Sequence, residues 1–191
     1  NSLPERHTKP RKEGLTMVMD KGLSVREAED MLSVSEPYID LIKLGFGTAF
    51  VTPNLENKLA VYKNAGIACY FGGTLFEAFY IRGQCDDYLR LLEKYKMGYA
   101  EVSDGSIDMD HDEKCKYITA LSKHVTVLSE VGSKDENKML APYKWIELMK
   151  KEIEAGSYKV IAEARESGTV GIYQSNNTKN CHQHDTYQHH G

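Results

Sequence analysis

Short apolar runs that end in polar, glycine-bearing corners recur along this chain: LIKLGFGT to Thr48, CYFGGT to Thr74, YAEVSDG to Gly105, VLSEVGSKD to Asp135 and VIAEARESGT to Thr169. Each reads as a buried strand whose far end carries ionisable side chains to one rim, and helix-like stretches separate the runs. With an earlier run, LTMVMD, the strand ends fall near Asp20, Lys43, Gly73, Asp104, Glu130 and Glu166. Units of roughly 20 to 40 residues leave room for helical crossovers, so the strands are expected to be parallel. Ligands bind at the carboxyl ends of such strands.

The stretches between the runs carry helix signals. Ser24 stands three residues before Glu27, a capping-box spacing, and Val25, Ala28, Met31 and Leu32 then fall on one face. Further helices are expected over 54–65, stopped by Gly66, over 86–96, stopped by Gly98, over 112–124, and from Pro142 to Glu154. Tyr143 and Trp145 share helical spacing with Leu148 and Met149, which predicts packing rather than substrate stacking.

With 191 residues and 41% apolar content, one large domain can bury a core. The 24 basic and 28 acidic residues give a net charge of −4 with no basic stripe, which argues against nucleic acid as a partner. No apolar run approaches the about 18 residues of a membrane span, and the start NSLPERHTKPRKEG is too polar for a secretory signal. The expectation is a soluble, cytoplasmic protein. Cys69, Cys85, Cys115 and Cys181 form no CxxC pair, so reduced thiols are expected rather than a zinc ribbon or disulfide framework, with Cys69 a packed thiol.

Runs that are apolar on both faces, such as VTVL and KVIA, fit a sheet with helices outside and a filled interior, a TIM-type (β/α) barrel. A doubly wound open sheet is the alternative. The first corner, MVMDKGLS, has neither GxGxxG nor GxxxxGK[ST], so no dinucleotide or P-loop chemistry is indicated. Residues 174–191 contain no Leu, Ile, Val, Phe or Met and read as a polar, disordered tail. A complete barrel takes about 250 residues, so 1–173 reads as its first six units without the last two. The tail's Cys181, His182, His184, His189 and His190 match no standard structural metal spacing.

If the corners share one rim, it holds Asp20, Lys43, Glu101, Asp104, Glu130, Lys134, Glu163, Arg165 and Glu166. Any one of these alone reads as half of an ordinary ion pair. Six acids with three bases at one rim suit a hard divalent cation and an anionic substrate. Alternation turns Glu163 and Arg165 to the same side of their strand. Thr48, Ser103, Ser133 and Ser167 read as helix caps or as phosphate contacts.

The corners resemble a specific family. KPRKEGLTMVMDKG, IKLGFGT, FGGTLFE, EVSDG, LSEVGSKD and EARESGTVGIY, collinear from about Leu3 to Tyr173, are similar to phosphosulfolactate synthase, an enzyme of coenzyme M biosynthesis. The resemblance implies a (β/α)₈ barrel that uses Mg2+ to add sulfite to phosphoenolpyruvate, giving (2R)-phospho-3-sulfolactate. It implies two further strand-helix units after Tyr173, so an open sheet edge and self-association are expected here. On this reading Lys134, Glu163 and Arg165 are catalytic, with Lys134 as the acid that protonates carbon. Lys43, Ser103, Ser133 and Ser167 bind substrate, Lys43 and Arg165 meeting phosphate or sulfite. Glu101, Asp104 and Glu130 hold the metal. The resemblance also implies a homo-oligomer, a trimer among its forms. The competing expectations are a barrel enzyme for another phosphorylated enol acid and a noncatalytic homologue that acts by association.

Overall fold

A computed structural model describes residues 6–132 and 141–163. Six strands alternate with helices: β1 (Met17–Asp20), β2 (Leu41–Leu44), β3 (Ala68–Phe71), β4 (Tyr99–Val102), β5 (Thr126–Val131) and β6 (Lys159–Ala162). All pairings are parallel, as the spacing of the runs requires. They form two three-stranded sheets, ordered β1-β2-β3 and β4-β5-β6. β3 lies against β4 where the two sheets meet. The fold is α/β with parallel sheets.

The helices are α1 (Val25–Ser35), α2 (Thr48–Val51), α3 (Leu55–Asn64), α4 (Gly73–Tyr80), α5 (Cys85–Lys94), α6 (His111–Leu121) and α7 (Pro142–Glu154). The capping box forms as expected: the Glu27 N–H donates to Ser24 Oγ at 3.2 Å, and the Ser24 N–H donates to Glu27 Oε2 at 2.8 Å. Two orphan donors at the start of α1 are thereby satisfied. α4 and the short α2 are not announced by the sequence. α4 opens directly on FGGT, and Leu75, Phe76 and Glu77 are all buried, so it shows no polar face to reveal its period. Its Phe76 ring packs edge-on against Tyr88 of α5 and Tyr117 of α6. Trp145 is buried as expected, but Tyr143 is 68% exposed, because it sits in the first turn of α7 on the face turned from the sheet.

Strand alternation divides the core in two. Ile42, Leu44, Phe71, Ala100, Val102 and Val127 face the helices in the main cluster. Leu41, Tyr70 and Leu128, with Met17, Ala68 and Tyr99 packed around them, form a smaller cluster on the opposite face. Lys43, Glu101 and Glu130 share that second face by their parity along β2, β4 and β5. Among the described residues no helix is long and apolar enough to cross a membrane.

Candidate active site

Lys43 is the third residue of β2, two residues beyond Leu41 and so on the same face, and only 8% exposed. Its Nζ lies 2.7 Å from Glu101 Oε1 on β4 and 3.1 Å from Glu130 Oε2 on β5. Glu101 is fully buried and Glu130 almost so. One ammonium therefore bridges two carboxylates on this second face, and ions removed from water hold such positions only when paired. Burial works to lower the Lys43 pKa, but the charges of Glu101 and Glu130 outweigh it and hold the ammonium above the ordinary lysine value. Burial pushes the Glu101 pKa up, Lys43 opposes that, and the neighbouring Glu130 charge adds to it.

The corner after β3 completes the grip on Glu101. The Gly73 N–H, at the start of α4, donates to Glu101 Oε1 at 2.6 Å. A Cβ at residue 73 would lie 2.1 Å from Ser103 Oγ and 3.0 Å from Glu101 Oε1, so only glycine lets the backbone approach this closely. The other carboxylate oxygen, Glu101 Oε2, is buried and has no hydrogen-bond partner. Ser103, expected at the substrate, is fully buried and donates to Glu77 Oε1 at 2.5 Å, which fastens the end of β4 to α4.

Asp104 does not join Glu101 and Glu130. It turns toward α6, where Lys114 Nζ donates to Asp104 Oδ1 at 2.8 Å and to the Glu130 carbonyl at 2.5 Å. Glu152 Oε1 of α7 lies 2.8 Å from the same ammonium, an ion pair without hydrogen-bond alignment. Burial lowers the His111 pKa and Lys114 lowers it further, so at neutral pH its approach to Glu152 at 3.8 Å is not an ion pair. These side chains line a cavity of about 190 Å³ between α6 and α7. Sequence reasoning missed Lys114 and Glu152, because charges on amphipathic helices read as solvated faces. Their burial becomes visible only when α6 and α7 pack on β5.

Asp20 is tied up locally. It is fully buried and accepts from the Gly22 and Leu23 N–H groups, the Tyr62 hydroxyl and Lys58, the last at 2.9 Å. Among the described residues its ion-pair partner is thus Lys58 of α3 rather than Lys43. Glu163 follows β6, and its N–H donates to the Val131 carbonyl at 2.8 Å. Gly132 makes that approach feasible: a Cβ there would meet the Trp145 ring at 2.6 Å and Glu163 Cβ at 2.9 Å. Ser133, Lys134, Arg165, Glu166 and Ser167 lie outside the described residues.

Among the described residues no three His, Cys, Asp or Glu side chains converge as a metal cage. Glu101 and Glu130 nevertheless converge on one cation, and Glu101 Oε2 has a lone pair to spare. Mg2+ typically takes one or two carboxylates and keeps water or substrate oxygens at its other positions, so this pair fits it. Cys69 is a packed thiol, pushed up to about 12 by burial and the Asp20 charge, which suits it poorly to nucleophilic work.

Comparison with known proteins supplies the frame for this geometry. Residues 4–185 match the model of the (2R)-phospho-3-sulfolactate synthase (ComA) family. The phosphosulfolactate synthase of Bacillus subtilis is 39% identical over 175 residues, covering 91% of this chain and 69% of the relative. That of Methanothermobacter thermautotrophicus is 36% identical, covering 89% and 68%, and that of Methanocaldococcus jannaschii 41% identical, covering 84% and 66%. The chain thus spans about two thirds of the length of these relatives. A crystal structure of 3-hexulose-6-phosphate synthase aligns over 82% of the chain and 96% of its own, at TM-score 0.41 and 14% identity, too distant to bear on fold or function. The family match covers every corner described above, including the glycines that bring α4 onto Glu101 and β6 onto β5, and this chain belongs to the phosphosulfolactate synthase family.

Proposed function

We propose that this chain catalyses addition of sulfite to phosphoenolpyruvate, giving (2R)-phospho-3-sulfolactate, at the inner face that carries Lys43, Glu101 and Glu130. The observation that carries the reading is the buried ammonium between two carboxylates, one of which keeps an unpartnered oxygen. Sulfite sulfur uses its lone pair to form a bond to the methylene carbon. The double-bond electrons move toward the carbon bearing phosphate and spread onto the substrate carboxylate as an enediolate. A proton then reaches that carbon. Lys43 meets the anionic substrate, and its charge is preserved by the two glutamates. Lys134 and Arg165 keep the roles the resemblance implies, proton donor and anion contact, with Glu163 at the adjoining strand end. Ser133 and Ser167 are assigned to phosphate on the same ground.

Glu101 and Glu130 are the residues that would hold Mg2+, and Asp104, engaged by Lys114, is set aside from that group. When bound, the ion offsets the negative charge that builds on the substrate carboxylate.

We read the two sheets as arcs of one barrel wall. Lys43 on β2 touches Glu130 on β5, three strands away in sequence order. At about 4.8 Å per strand, a flat sheet would separate them by roughly 14 Å, beyond a lysine's reach. Curling the wall brings them together, and the inner cluster of Leu41, Tyr70 and Leu128 then fills its interior. The free thiols of Cys69, Cys85 and Cys115 suit the cytoplasm. The homo-oligomer implied by the resemblance is testable by sedimentation at several concentrations.

The purified chain with Mg2+ should consume phosphoenolpyruvate only when sulfite is present. Consumption at the same rate without sulfite would favour a barrel enzyme acting on another reaction of the enol acid.

A further inference from the structure

Tyr70 is the register partner of Lys43 in the β2–β3 ladder, so both side chains stand on the inner face. It is fully buried, packed with Leu41 and Leu128, and its hydroxyl, which interacts with the neighbouring Glu101 carboxylate, makes no aligned hydrogen bond. Packing does not explain that hydroxyl, since phenylalanine would fill the same space without burying an unsatisfied polar group. Among the described residues of this face, Glu101 Oε2, an acceptor, is the other buried polar atom without an aligned hydrogen bond. A donor and an acceptor on the face that carries Lys43 are thus both left without an aligned hydrogen bond.

Resting on the function proposed above, we propose that Tyr70 is a substrate-contacting catalytic residue: its phenolic O–H donates to the carboxylate of the enol substrate as the enediolate forms. Lys43 supplies positive charge from one strand and Tyr70 a neutral donor from the next. A preorganised donor aimed at developing negative charge lowers the barrier without altering the ground state to the same degree.

The test is Tyr70→Phe, assayed beside the wild type for sulfite-dependent turnover and for thermal unfolding. The expected result is kcat reduced about 10- to 100-fold, KM for phosphoenolpyruvate within about threefold, and an unfolding midpoint unchanged or higher. A midpoint that falls together with kcat would assign the hydroxyl a structural role and overturn the proposal. So would a kcat within about twofold of wild type. Turnover by the wild type alone separates the two levels of inference: if it is present and Tyr70→Phe matches it, only the Tyr70 role fails. If the wild type shows no sulfite-dependent turnover, the function fails and the Tyr70 role with it.

Discussion

Lys43 combines two jobs that are separable by substitution. It neutralises Glu101 and Glu130, and it presents a charge to an anionic substrate. Lys43→Met keeps the length of the side chain and removes the ammonium, leaving two buried carboxylates facing each other. Breaking a buried ion pair from one side costs about 3–5 kcal/mol. Denaturant unfolding of Lys43→Met should therefore show a loss of that size, and sulfite-dependent turnover should disappear even where the variant remains folded. An unchanged stability would mean that Glu101 and Glu130 are not held by this lysine. The three members of this centre were legible in the sequence as charged residues at strand ends. Alternation along LIKL, YAEV and TVLSEV puts all three on one face. Tyr70 and Glu77 were not legible, because a tyrosine in a strand and a glutamate in an apolar helix acquire meaning only from what they meet. Asp104 was read onto the same rim as Glu101, yet it lies past the end of β4, where alternation no longer fixes direction, and Lys114 draws it outward.

The elements are joined by polar ties as much as by the core. Before β1, a basic segment is anchored at the amino end of β2. Arg11 Nη1 lies 2.8 Å from Asp40 Oδ1, Arg6 Nη2 lies 3.1 Å from Asp40 Oδ2, and the Thr16 N–H donates to Oδ2 at 2.7 Å. Burial would raise the Asp40 pKa, but the Thr16 N–H and the Arg11 and Arg6 charges outweigh it and hold the carboxyl below its usual range. A carboxyl depressed in the folded state contributes stability that is present above its unfolded value of about 3.9 and lost as pH falls through its folded value. Asp40→Asn should lower stability near neutral pH by about 1–2 kcal/mol and flatten the loss of stability below about pH 4. Unfolding free energies measured for both proteins across that range check the sign. In the sequence this basic stretch shows only its polarity, since its partner is an acid some thirty positions on. The helices with a polar face, α1, α3, α5, α6 and α7, were legible from period and caps. α4 was not, because its residues are buried or half-buried all round and show no polar face.

At the scale of the whole molecule, parallel strands and outward helices followed from the spacing of the apolar runs. The separation of the strands into two hydrogen-bonded sheets did not, since apolar runs mark strands but not which neighbours pair; at the β3–β4 junction Gly73 of α4 packs against Glu101 and Ser103. That junction is also where the proposed chemistry is held: β2 supplies the ammonium, β4 and β5 the carboxylates, and β3 the phenol without an aligned hydrogen bond. The central claim is that carbon–sulfur bond formation occurs on this face. It is tested most directly by giving the purified chain phosphoenolpyruvate labelled with 13C at its methylene carbon, together with sulfite and Mg2+ in D2O, and following the label by NMR. The account predicts that the labelled carbon becomes a saturated CH2 bonded to sulfonate, with one deuterium on the adjacent carbon. A labelled carbon that remains an enol methylene, or becomes the methyl of pyruvate whether or not sulfite is added, would contradict it.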